Sequence, residues 1–170
     1  MKRAYLLLMA LTLAVAMILP LGVVNAASPQ EEVSGYLVLA TTGFIPKAVG
    51  TDNLMKGEID HYATYTGSIS GGGGEIAHFT YNLTSLALAS NGVQEFNGAV
   101  LGKSGTLTFA VHHLGAVALG VLGEVINVEQ TIISGTGDLA NLRGTLHFTV
   151  EFTGGGVYEG AYSGKLHFAR

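Results

Sequence analysis

The sequence predicts an all-β protein, a closed antiparallel β-barrel of about eight strands behind an N-terminal leader. Three observations predict it. Across residues 36–168, short apolar runs alternate with polar residues and are punctuated by glycine at 70–74, 102–105, 135–137 and 154–156, the spacing of a meander. No stretch after the leader carries a sustained helical period, although 87–89 is ambiguous and 138–142 is long enough for one helical turn. Finally, strands paired about their glycine turns agree on which parity is apolar, as the two strands of a hairpin must. Composition supports a folded chain. Charged residues make up 12% and hydrophobic residues 48%, with 25 Gly and 3 Pro and no three-residue glycine repeat, which excludes disordered, collagen-like and linker-like chains.

In chain order, Lys2 and Arg3 precede an uncharged run over 4–19, broken at Pro20 and Gly22 and followed by Val24-Asn25-Ala26. This is the layout of a secretory signal peptide spanning 1–26, cleaved after Ala26 or Ala27, with a secreted or periplasmic product. An uncleaved anchor is the alternative, because the run approaches the ~20 residues that span a bilayer. The break at Pro20 and the lack of basic stop-transfer residues favour cleavage, so a membrane enters only through an uncleaved leader. What remains is one domain, made of an N-terminal extension with the first strand (27–55) and a barrel body (56–170). Outside the leader 6 basic residues, scattered, face 12 acidic ones, which argues against nucleic acid as a partner. With no Cys, disulfides, thiolate metal sites, Cys nucleophiles and lipoprotein anchors are excluded.

Three hairpins fix the faces. About Gly72, Tyr65 is expected opposite Phe79 and Ala63 opposite Tyr81, with Thr64, Thr66, His78 and Asn82 on the other side. About Lys103-Ser104, Val100 is expected opposite Leu107 and Phe96 opposite Val111, leaving Glu95 and His112 outside. About Gly155, Phe152 meets Tyr158, Val150 meets Gly160 and Phe148 meets Tyr162, while His147, Glu151, Glu159 and Lys165 face away. A dry face of this extent is buried by packing two sheets or by closing a barrel, and closure also removes edges. The inner face alternates bulk with glycine, as in Tyr158, Gly160, Tyr162, Gly164 and Leu166. That pattern means tapered packing or room for a ligand, and small barrels favour packing.

Further along the chain stands Ser134-Gly135-Thr136-Gly137-Asp138-Leu139-Ala140-Asn141-Leu142-Arg143-Gly144. Its glycines supply a tight turn, Asp138 can cap a helical turn, Leu139 and Leu142 share a face, and Gly144 ends the segment. Together these residue types suit a plug for one end of the barrel. The segment resembles the SGTGxLxxLRG motif of a bacterial family of unknown function with an allene-oxide-cyclase-like barrel. Phe96-Asn97-Gly98, Gly102-Lys103-Ser104-Gly105 and His113-Leu114-Gly115 resemble a second block of that family, a GrsGsF turn with a QHxG ending, with His112 where Gln is common. Allene oxide cyclases and plant dirigent proteins look like more distant relatives. The resemblance spans about 56–168. It implies the barrel, a homo-oligomer (a trimer, as in those relatives), and a cyclase or isomerase as the enzymatic alternative.

Of the six His, parity places only His61 and His113 inside, and adjacent His112 and His113 point to opposite faces. No Asp or Glu is expected to join them, so neither metal nor cofactor is expected. Glu151 and Glu159 face each other in solvent. The glycine run at 70–74 lacks the Lys of a phosphate loop, and Asn82-Leu83-Thr84 is a formal glycosylation sequon on the outer face. The interior keeps neutral polar groups on His61, Tyr65, Tyr81, Gln94, His113, Tyr158 and Tyr162. Such a lining suits an apolar or aromatic small molecule with one or two hydrogen-bonding groups; the alternative is a filled core whose polar groups satisfy one another. His113 is singled out by parity and by its QHxG-like context. Three readings stay open: a small-molecule-binding barrel, a cofactor-free cyclase or isomerase, and an interaction module with a filled core.

Overall fold

A computed structural model describes residues 28–51, 53–116 and 121–169; the leader read at 1–26 lies outside them. Eight strands follow one another: β1 (Glu31–Val49), β2 (Leu54–Gly67), β3 (Ile69–Asn82), β4 (Ala87–Val100), β5 (Lys103–Ala116), β6 (Val125–Gly135), β7 (Leu142–Gly154) and β8 (Val157–Phe168). Each pairs antiparallel with the next, and β8 pairs with β1, so the expected closed barrel is present. One helical element joins β6 to β7, a 3-10 turn over Gly137–Leu139.

Every inward assignment made from parity holds. Ala63, Tyr65, Phe79, Tyr81, Phe96, Val100, Leu107, Val111, Phe148, Val150, Tyr158 and Tyr162 are buried, while His78, Glu95, His112, His147, Glu151 and Lys165 lie outside. Two turns sit elsewhere than expected. The β4–β5 turn is Leu101-Gly102, both at positive φ, so Phe96 pairs with Leu107 rather than Val111. The β2–β3 turn is at Gly67-Ser68, so Tyr65 pairs with Gly71 and the glycine run lies inside β3 instead of forming its tip. Both corrections slip the register by an even number of residues, which leaves every face unchanged. The β7–β8 register, with Phe152 opposite Tyr158 and Glu151 opposite Glu159, is as expected.

The two ends differ. At one end, the turns are stitched together by hydrogen bonds from Leu101 N to Ser68 O and from Ser68 N to Ser34 O. Leu139 and Leu142 are fully buried there, and Arg143 Nη1 donates to the carbonyls of Ala140 and Leu142, tying the connection down. Asp138 makes no capping bond; the cap position belongs to Thr136, whose hydroxyl bonds that of Thr106 at 2.6 Å. Beneath this end the interior is filled by edge-on aromatic packing of Tyr65 with Phe96, Phe148 and Tyr162, at centroid distances of 5.5–6.2 Å. The inner-face glycines of β8 also belong to packing. A Cβ on Gly160 or Gly164 would run into the carbonyl of Thr149 or Thr145 on β7, so these positions serve close strand approach and leave no ligand space.

Candidate functional site

The opposite half of the barrel is not filled. A pocket enclosing about 40 Å³ is walled by Leu39 and Phe44 of β1, Ile59 of β2, Phe79 of β3, Leu88 of β4, Ile126 and Val128 of β6, Val150 of β7 and Tyr158 of β8. Its polar groups are the imidazoles of His61 and His113, the hydroxyl of Ser90 and the phenol of Tyr158. A bulge in β1 between Thr41 and Gly43 shifts parity by one residue, so Phe44, still half exposed, is brought to the rim of the pocket and stacks on Phe79 at 5.1 Å. At ~10–15 Å³ per water, the enclosed space holds about three waters or the leading group of a larger molecule.

Pairing brings three buried titratable groups together. His61 on β2 stands directly across from Glu75 on β3 and, on its other side, from Thr41 of β1, whose Oγ1 lies 3.3 Å from His61 Nδ1. His113 on β5 pairs with Ser90 of β4, whose Oγ lies 3.1 Å from Nδ1. Its Nε2 faces Glu75 Oε1 at 3.5 Å, and the two rings are 6.0 Å apart. Neither Glu75 oxygen has a hydrogen-bond partner, and neither has His113 Nε2. Burial pushes the Glu75 carboxyl up to about 8 and His61 down to about 4. Burial, helped by the neighbouring charges of His61 and His112, lowers His113 to about 3. At neutral pH, then, a protonated carboxyl faces two neutral imidazoles, and the 3.5 Å approach is not an ion pair.

A second polar layer lies just below. Tyr65 Oη is 2.6 Å from Gln94 Oε1 and 2.8 Å from Gln130 Oε1, and Gln130 Nε2 donates to Gln94 Oε1 at 2.7 Å. Burial raises the Tyr65 phenol well above its ordinary range, so it stays a neutral donor. The seven residues proposed from sequence therefore divide. His61, His113 and Tyr158 line the pocket; Tyr65 and Gln94 belong to the internal network; Tyr81 is buried on β3 outside the pocket wall. Tyr162 sits at the plugged end, accepting from Ile69 N at 2.9 Å and donating to Thr66 O at 3.1 Å.

A model of a protein family of unknown function, DUF3224, matches residues 32–162. The chain belongs to the DUF3224 family. No curated protein matches it. Among solved structures, a DUF3224 protein of unknown function from Shewanella oneidensis superposes with a TM-score of 0.63 at 16% identity, covering 84% of this chain and all of its own, a likeness of fold.

In this DUF3224 chain, sequence reasoning missed Glu75, Ser90, Gln130 and the bulge that brings Phe44 to the pocket rim. The expectation that no acid shares the face of His61 and His113 is corrected by Glu75. The alternation that runs back from Tyr81 and Phe79 through Ala77 reaches Glu75, but a hairpin tip at 70–74 ends the strand right beside it. With β3 unbroken from Ile69, parity alone puts Glu75 inside. The same alternation carries Gln130 with Val128 and Ile132.

Proposed function

We propose that this DUF3224 protein is an exported barrel that binds a small apolar molecule, one ring or a short chain bearing one hydrogen-bonding group, in its unfilled half. Export rests on the leader at 1–26. Binding is supported above all by the contrast between the halves, since one end is packed to full burial while the other keeps an apolar pocket on which neutral polar groups converge. Larger depressions lie on the outer surface, one of about 660 Å³ along Glu32, Thr145 and Lys165, but they are open to solvent and gather no buried polar groups. Within the pocket, His113 and Ser90 offer the hydrogen-bonding end, and Leu39, Ile59, Val128 and Val150 the apolar wall.

Native mass spectrometry of the protein purified from its own host should find a retained small molecule. An NMR titration of metal-free protein with p-cresol, one ring and one hydroxyl, should shift the methyl groups of Leu39, Ile59 and Val128 saturably. Replacing His113 with Leu should weaken that binding by ~1–3 kcal/mol, the cost of leaving a buried polar group unpaired. His112→Leu should not, since His112 lies outside, 2.6 Å from Asn91 Oδ1. Equal effects of the two substitutions, or shifts confined to outer residues, would refute this reading.

A further inference from the structure

We propose that His61, Glu75 and His113 form a binding site for one divalent first-row transition-metal ion, with the ion's remaining coordination positions facing the apolar pocket. The three residues each offer a ligand atom, all within 4.8 Å of one another, and all three are buried. Zinc-type bonds of ~2.0–2.1 Å in a tetrahedron set ligand atoms about 3.3 Å apart. The His113 Nε2 to Glu75 Oε1 edge, at 3.5 Å, already has that length. A side-chain movement of about 1.5 Å closes the widest edge to the same tetrahedral length.

Two further features point to a cation. Both oxygens of Glu75 and Nε2 of His113 are buried without a hydrogen-bond partner, with His113 lining the pocket and Glu75 directly across from His61, which lines it too. Buried polar atoms are rarely left so, and one ion bound at this point would satisfy them together. Each imidazole is also held through its far nitrogen, His61 Nδ1 by Thr41 and His113 Nδ1 by Ser90, which leaves Nε2 of each as the donor atom. This is the outer-shell arrangement that fixes the tautomer and orientation of metal-binding histidines. Between Ser90 and Gln94 on the inner face of β4 stands Gly92, which puts no side chain between Glu75 and His113.

Two imidazoles and one carboxylate select among metals. The set is too rich in nitrogen for Ca²⁺ or Mg²⁺ and lacks the sulfur that favours Cu(I), so it suits Zn²⁺, Fe²⁺ or Co²⁺. Three protein ligands with open positions is the pattern of sites that present a metal to a further ligand. The site does not depend on the apolar-ligand reading, because the three residues hold the ion whether or not a molecule enters above it.

The test is titration of chelator-treated, untagged protein with Co²⁺, followed by visible absorption and calorimetry. One Co²⁺ per chain should bind, giving ligand-field bands that Zn²⁺ abolishes. Glu75→Gln, close in shape, should weaken Co²⁺ binding by about 100-fold or more, while the exposed His78→Gln and His147→Gln leave it unchanged. Ser90→Ala, which touches the ion only through His113, should weaken it by about 10- to 100-fold. Absence of saturable binding to the wild-type protein, or Glu75→Gln binding as tightly as wild type, would overturn the proposal. The p-cresol titration uses metal-free protein and reads the pocket alone, so either idea can fail without the other.

Discussion

Tyr65 shows how one hydroxyl can hold a barrel together. It reaches Gln94 and Gln130, which lie 29 and 65 residues away along the chain, and the three side chains form a buried network that leaves Gln94 Nε2 without a partner. Tyr65→Phe removes the one proton that two amide oxygens share while keeping the ring and its edge-on contacts. Stability should fall by ~1–3 kcal/mol in urea unfolding, with p-cresol binding unchanged because Tyr65 does not line the pocket. A loss of binding without a loss of stability would return Tyr65 to the ligand-binding set. Parity made Tyr65 and Gln94 legible as inward residues, but it carries no information about depth along the barrel axis. That is why residues of the plugged end, the network and the pocket looked alike in the sequence.

Among the elements, the β6–β7 connection was read most fully, because its residue types constrain it so tightly. Gly137 takes φ +61, and a Cβ on Gly135 would press on the carbonyl of Leu139, so both glycines are required by the chain path. Leu139 is the buried member, facing Gly105 of β5. Leu139→Ala should cost ~2–5 kcal/mol, as truncation of a fully buried leucine does, and should leave p-cresol binding intact because the pocket lies in the opposite half. Circular dichroism melting with a parallel NMR titration checks both halves of that statement. The hairpin turns were less legible. Glycine marks a turn and a close strand approach equally well, and the run at 70–74 is of the second kind: a Cβ on Gly73 would collide with the carbonyl of Glu95. The faces are the same in either register because the slip is even, and Glu75 is inward in both; a tip at 70–74 leaves it beside a turn, where an acid is expected in solvent.

For the molecule as a whole, the buried groups His61, Glu75 and His113 give stability a distinct dependence on pH. In metal-free protein the folded Glu75 keeps its proton up to about 8, whereas in the unfolded chain it releases it near 4.5. A raised carboxyl costs stability as pH rises through that window, because the folded state holds one proton more than the unfolded state. His61 and His113 act in the opposite sense. Unfolded they take up protons near 6.5, but folded they resist to about 4 and about 3, so their contribution is lost as pH falls below 6.5. Between 4.5 and 6.5 the unfolded state carries two extra protons on the histidines and lacks one on Glu75, so stability rises with pH by about 1.4 kcal/mol per unit. Above 6.5 the unfolded histidines finish losing their protons and Glu75 comes to dominate, so stability falls by about 1 kcal/mol by pH 8. Urea midpoints in the presence of chelator should therefore peak near pH 6.5. Glu75→Gln, which cannot ionise, should abolish the fall on the alkaline side and steepen the rise on the acid side, since the two histidines then act unopposed. A wild-type midpoint that stays level or climbs from pH 6.5 to 8 would mean that Glu75 is ionised in the folded protein, and hence that its surroundings solvate a charge better than its burial implies.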